Sequence, residues 1–276
     1  MPLDARRYLR KMRGGAQAHL IECSDGNAYV VKFLNNPQHR RILVNELIAS
    51  ALLQHLQIAA PETALIRIGP DFLSAHPEVG MDLGAQRVPP LHGWHFGSRY
   101  PGDPATTAVY DFVPDAMLEQ LANPRDFLGI LVFDKWTANS DGRQAIFFRA
   151  RLRDWDGQAH PQRMGFVALM MDHGFIFNGP HWDFPESAAQ GLYPRRSVYQ
   201  AVRSLLDFEP WLERVLHFPE QVFDSAWKAV PPEWIEHEEA QLEATLEKLW
   251  KRRARVDQLV DEVRRGRMSP FPNWPA

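Results

Sequence analysis

The chain has 276 residues, enough for one large domain or for two small lobes sharing a cleft. Hydrophobic residues make up 45% and charged residues 24%, which excludes a disordered chain, and a net charge of −3 argues against a surface built to hold nucleic acid. The single cysteine, Cys23, excludes an internal disulfide, no apolar run reaches membrane-spanning length, and Met1-Pro2-Leu3-Asp4 lacks a signal-peptide core, so the expectation is a cytoplasmic protein with no membrane partner.

Residues 4–12 read as a short helix, with Arg6, Arg7, Arg10 and Lys11 on a solvated face. Ala18 to Cys23 and Ala28 to Leu34 read as two strands joined by Ser24-Asp25-Gly26-Asn27, a hairpin signal. Between His39 and Gln57, apolar residues from Ile42 to Leu56 recur at helical spacing and define one buried face. Ala64 to Ile68 reads as a strand. Residues 69–108, rich in Gly, Pro and His, read as loops with one further strand, and Ala108 to Pro114 as a strand closing the first half. Asp126 to Trp136 is an apolar helix that runs into the polar turn 137–143. Ala145 to Phe148 and Phe166 to Met171 are strands. From Ser197 to Arg265 the chain reads as helical with breaks at Pro210, Pro219 and Pro231-Pro232, and Trp234 to Arg265 as one long amphipathic helix. The tail from Met268 to Pro275 cannot be helical. Strands with one helix come first and helices follow, an α+β arrangement in two unequal halves.

Several residues carry chemistry in an order that suits phosphoryl transfer, which needs a loop over the phosphates, a lysine, a carboxylate to orient it, an acid near the acceptor and acidic ligands for a metal. Gly14-Gly15-Ala16-Gln17 opens the first hairpin, where small residues let backbone N–H groups approach phosphate oxygens. Lys32 lies inside the apolar strand Val30-Val31-Lys32-Phe33-Leu34 and needs a partner there. Glu46, at the edge of the buried face of helix 39–57, is its candidate. Asp141 follows an apolar helix at a loop where a carboxylate can orient a hydroxyl. Asp172 ends the six apolar residues from Phe166 to Met171, so it should be partly buried and charge-paired, and it suits a hard cation. Each feature alone has an ordinary explanation: a plain turn, a snorkelling lysine, a solvated glutamate, a turn aspartate.

With these residues in place, the sequence resembles the short stand-alone HipA-like kinases over about residues 8–180. Gly15-Ala16-Gln17 is similar to their phosphate loop, Val30-Val31-Lys32-Phe33 with Glu46 to their lysine strand and glutamate helix, and Trp94-His95-Phe96-Gly97-Ser98 to a loop motif. Asn139-Ser140-Asp141 resembles the catalytic loop, and Met171-Asp172-His173-Gly174 the metal-binding segment. The resemblance implies a bilobal protein-kinase-like fold, with a β-rich N-lobe at 1–113 and a mainly helical C-lobe at 114–276. It also implies ATP and Mg²⁺ as cofactors and serine/threonine phosphorylation of an unidentified protein or small-molecule acceptor. Lys32 would then contact phosphates, Glu46 hold Lys32, Asp141 act as base and Asp172 bind metal. The hinge at residues 110–114 (Tyr110, Asp111, Phe112, Val113 and Pro114) would touch adenine.

Two departures from the family pattern stand out. Its loop reads Asn-x-Asp-Arg-His-x-x-Asn, and the position of the second, metal-binding Asn holds Ile146 here, with Arg143 as a basic residue shifted by one. Gln144 and Asn139 are the candidates for the missing oxygen. A slow kinase, a kinase using one Mg²⁺ and a nucleotide-binding pseudokinase acting as an interaction module all stay open. Residues 12–20 contain no Ser or Thr that could be phosphorylated as a switch, and no helix-turn-helix is present. A third reading, a hydrolase using Asp141, Asp172, His173 and His181, lacks a His-Glu-x-x-His helix, a Gly-x-Ser-x-Gly elbow and a Cys pair.

Overall fold

The structure, a computed structural model, describes residues 2–155, 160 and 162–275. Five strands close into a barrel in the order β1 (Pro2–Lys11), β2 (His19–Cys23), β3 (Ala28–Lys32), β7 (Gly93–Arg99) and β4 (Thr63–Ile68). β1 returns parallel to β4 through Pro2 to Asp4, and the other barrel pairs are antiparallel. The interior is filled by Leu3, Ile21, Val31, Phe33, Ile66 and Ile68 with Phe72 and Met81.

The helix expected at residues 4–12 is therefore strand β1. Arg, Leu and Lys favour helix locally, but pairing on both edges and burial of Leu3 in the barrel outweigh that preference. Bulges near Ala5–Arg7 and Tyr8–Arg10 turn Arg6, Arg7, Arg10 and Lys11 to solvent. The segment 69–108 is more regular than its composition suggests. It holds a short helix α2 (Pro70–Ala75), a hairpin of β5 (Met81–Leu83) with β6 (Gln86–Val88), and β7 in the centre of the barrel wall. Gly97 is required in β7 because a Cβ there would lie 2.6 Å from Ile66 Cγ1. The strand expected at 108–114 shrinks to β8 (Val109–Tyr110), since Val113 turns into the core ahead of the short helix α3 (Asp115–Leu118).

Helix α1 (Arg41–Leu56) is buried on nearly every side rather than on one face, because it lies between the barrel and the later helices. It packs on α6 (Glu220–Ala229) and α7 (Pro232–Ile235). Helix α4 (Asp126–Thr137) is likewise buried from Phe127 to Thr137 and contacts α5 (Trp211–Leu216), α8 (Glu239–Arg252) and α9 (Val256–Arg265). The long helix expected at 234–265 is thus three helices. Its first break follows Ile235, where His237 adopts φ +68°. The second falls at Arg253: the indole of Trp136 donates to Leu249 O at 3.0 Å, and the Arg253 N–H turns to Trp250 O instead. The antiparallel strands β9 (Gln144–Arg151) and β10 (Met164–Met171), extended by β8, form a small sheet beside α4. Among the described residues, no helix is long and apolar enough to cross a membrane.

Candidate functional site

Lys32 is the last residue of β3, opposite Phe96 of β7. Its side chain is 13% exposed, and its ammonium bonds two carboxylates, Glu46 from α1 and Asp172 Oδ1 at 2.7 Å. Burial disfavours the ammonium, but the two acids more than offset that, and the Lys32 pKa is raised. Asp172 is likewise penalised by burial and rescued mainly by Lys32, which leaves its pKa below the usual carboxylate range. Glu46 lies deeper than the edge position expected of it, at 4% exposure, and its second oxygen accepts the His173 N–H at 3.1 Å.

Asp172 follows β10 in a left-handed conformation, φ +60°. The register of β10 on β9 sets Met171 opposite Gln144, which brings the Gln144 amide beside the next residue. Gln144 Nε2 is 3.2 Å from Asp172 Oδ2 and 3.5 Å from Asp141 Oδ2, so one amide spans both acids. Lys32, Glu46, Asp172, Gln144 and Asp141 therefore form one connected array drawn from the barrel, α1, the small sheet and the turn after α4. Gly174 lets the Asp172 segment close on α1, because a Cβ there would lie 2.4 Å from Ile42 Cγ2.

The family model described as HipA-like kinase matches residues 7–147. The chain belongs to the HipA-like kinase family. The segment matched carries Gly14–Gln17, Lys32, Glu46 and the turn Asn139–Asp141, while Asp172 lies beyond it. Two solved structures of Golgi casein kinase are similar in fold. One has 12% identity and a TM-score of 0.54, covering 96% of this chain and 73% of that one. The other, with Mn/ADP bound, has 12% identity and a TM-score of 0.52, covering 95% and 72%. At that identity the likeness shows a kinase-like fold of the α+β class. No curated protein matches the sequence.

Beneath the array of this HipA-like kinase lies a second layer that the sequence did not disclose. Asp134 of α4 and Arg143 form a fully buried bidentate pair, with Arg143 Nε 2.8 Å from Asp134 Oδ2. Arg143 also donates to Met171 O at 2.7 Å and to His173 Nδ1 at 3.1 Å, and His173 Nε2 donates to Met170 O at 3.0 Å. Burial and the neighbouring guanidinium hold the His173 pKa well below its ordinary value, so the ring is neutral, with its proton on Nε2. Asn139 belongs to this layer. It is 1% exposed, donates to Asp134 Oδ1 at 2.9 Å and accepts the Asp141 N–H at 3.1 Å. Gly191 closes over it, where a Cβ would sit 2.5 Å from Asp134 Cβ. The available signal was Asp134-Lys135 inside a helix apolar on all sides, which requires buried partners.

Ile146 shares Gln144's face of β9 and packs with Phe148, Val167 and Leu169. The glycine loop enters β2 at the end of the barrel where Lys32 sits, since His19 pairs with Val31. Gly14 has φ +119°, and Gln17 (φ +49°) is pinned to β5 by bonds to Asp82 N and Asp82 O, both 2.8 Å. Gly15 lies against Gln38, and Ala16 is buried. Tyr110 and Phe112 are exposed, and Asp111 is on the surface between them. Arg195 stacks 4.5 Å from the Phe112 ring and donates to Val113 O at 3.2 Å. Neither the glycine loop nor residues 110–113 bond directly to the Lys32 array. The Trp94–Ser98 motif gains a physical role: the buried His95 ring accepts the Leu34 N–H at 2.9 Å and donates to Leu91 O at 3.0 Å, fixing the chain just after Lys32.

Proposed function

We propose that this HipA-like kinase is an ATP- and Mg²⁺-dependent phosphotransferase acting on a serine or threonine hydroxyl of a protein. The observation that carries this is Lys32 held between Glu46 and Asp172, with Gln144 joining Asp172 to Asp141. Residues 1–113 and 114–276 act as two lobes, and ATP enters between them. Lys32 holds phosphate oxygens and Glu46 keeps Lys32 in place. Backbone N–H groups of Gly14, Gly15, Ala16 and Gln17 cover the phosphates, while Tyr110, Asp111, Phe112 and Val113 border the adenine. Asp141 accepts a hydrogen bond from the acceptor hydroxyl and orients it.

The residues fit a hard cation. Asp172 and Asp141 are carboxylates within reach of one amide, and an Asn or Gln amide can present oxygen as readily as nitrogen by a side-chain flip. Asp172 and Gln144 would hold Mg²⁺, with Asn139 fixing the loop from beneath. A bound Mg²⁺ would neutralise phosphate charge as transfer proceeds. The free thiol of Cys23 is buried and its pKa is pushed up to about 12 by desolvation, an inert thiol consistent with a cytoplasmic location.

Ile146 favours a second reading, a nucleotide-binding pseudokinase, because an apolar cluster occupies the place of the family's second metal-binding Asn. Incubation with γ-labelled ATP, Mg²⁺ and a mixture of acceptor proteins separates the two. Label on protein hydroxyls supports transfer. Nucleotide binding without any transfer supports the second reading.

A further inference from the structure

The structure carries a second concavity, away from Lys32. Helices α6 and α8 leave a groove of about 500 Å³ lined by Phe223, Leu246, Trp227 and Trp250, with Glu220, Asp224, Glu243 and Glu247 on its rim. Phe223 and Leu246 form its floor, and the two tryptophans are half-buried. Lys228 is the one cation in the lining. Glu247 is neutralised by Lys251 at 2.5 Å, but Glu220, Asp224 and Glu243 have no ion-pair partner among the described residues. The guanidinium of Arg253 stacks 3.7 Å from the Trp250 ring, so the molecule itself shows an indole of this groove taking a planar cation.

We infer that the groove between α6 and α8 docks a basic peptide segment of a partner protein, which seats a bulky apolar side chain between Trp227 and Trp250 and sets Lys or Arg against the free rim acids. An aromatic floor with charged groups around it matches the division of an interface into an apolar centre and a polar rim. The excess of unpaired carboxylates selects the sign of the partner. Helix α6 also packs directly on α1, the helix that carries Glu46, so a single helix separates an occupant of the groove from the element that carries the partner of Lys32.

The test uses the full chain and a synthetic peptide of about four helical turns with Leu on one face and Lys on the other, read through tryptophan emission. The expected result is saturable binding. The double variant Asp224→Lys/Glu243→Lys, at two exposed positions, weakens it by about 10-fold or more. A peptide with Glu in place of every Lys does not bind. Absence of binding, equal binding by the charge-reversed variant, or equal binding of the Glu peptide would overturn the inference. So would a concentration-dependent dimer abolished by the same double variant, which would make a second copy of the chain the occupant.

Discussion

The floor of the site and its roof are built in opposite ways. In the floor, Asp134, Arg143, His173 and Asn139 are all buried and each side chain makes at least two hydrogen bonds, to one another or to backbone groups. The roof, from Gly14 to Gln17, is anchored mainly by one glutamine side chain on the surface hairpin. Low dielectric around the floor strengthens every bond in it and makes every broken bond costly. The floor therefore stands without ligand, whereas on the proposed reading phosphate would complete the hydrogen bonding of the roof. On that reading a kinase-like site gains from the division, since Asp141 and Asp172 would be preorganised while the loop proposed to cover the nucleotide can yield.

The comparison breaks most readily at Asp134. Asp134→Ala strands the Arg143 guanidinium in the core and should cost about 3–5 kcal/mol in chemical denaturation. The double variant Asp134→Leu/Arg143→Met should recover much of that loss, and a single loss below about 1 kcal/mol would refute the floor's role.

Acid provides the next lever. Burial lowers the His95 pKa to about 4, whereas the unfolded ring titrates near 6.5. The unfolded chain binds the extra proton first, so this contribution is complete above pH 6.5 and is lost progressively as pH falls toward 4. The total is about 3 kcal/mol. His173 and His19 shift in the same direction. His95→Gln should flatten part of the pH slope of stability between those limits, and an unchanged slope would place the titration elsewhere.

Gly174→Ala drives a methyl into Ile42 and should cost about 1–3 kcal/mol. Combined with Ile42→Ala the two losses should not add, and strict additivity would show that the close approach is unimportant. The smallest effect belongs to the roof. Gln17→Ala should lower global stability by about 1 kcal/mol or less while speeding hydrogen exchange at the Asp82 amide, the group that Gln17 accepts.

The same contrast governs what the sequence disclosed. The Lys32 strand, the Glu46 helix and the Asp172 strand end were legible because a charge within or beside an apolar run has few explanations. The β1 error arose because strand pairing with β4, more than fifty residues away, is invisible to local propensity. The splitting of 234–265 depends on the Trp136 indole, more than a hundred residues distant, capturing one carbonyl. The floor was hidden for a related reason. Asp134 and Arg143 are nine positions apart, yet only the fold shows that their side chains meet, and neither lies where the family's second Asn would be sought.

The central claim is that Lys32 and Asp172 jointly hold a metal–nucleotide complex. Its most direct measurement is the shift in melting temperature on adding ATP with Mg²⁺, compared among the parent, Lys32→Ala and Asp172→Ala, with folding of each checked by circular dichroism. The account predicts a clear stabilisation of the parent that depends on both components and disappears in either variant. Stabilisation of equal size in all three proteins, or none in the parent, would contradict it.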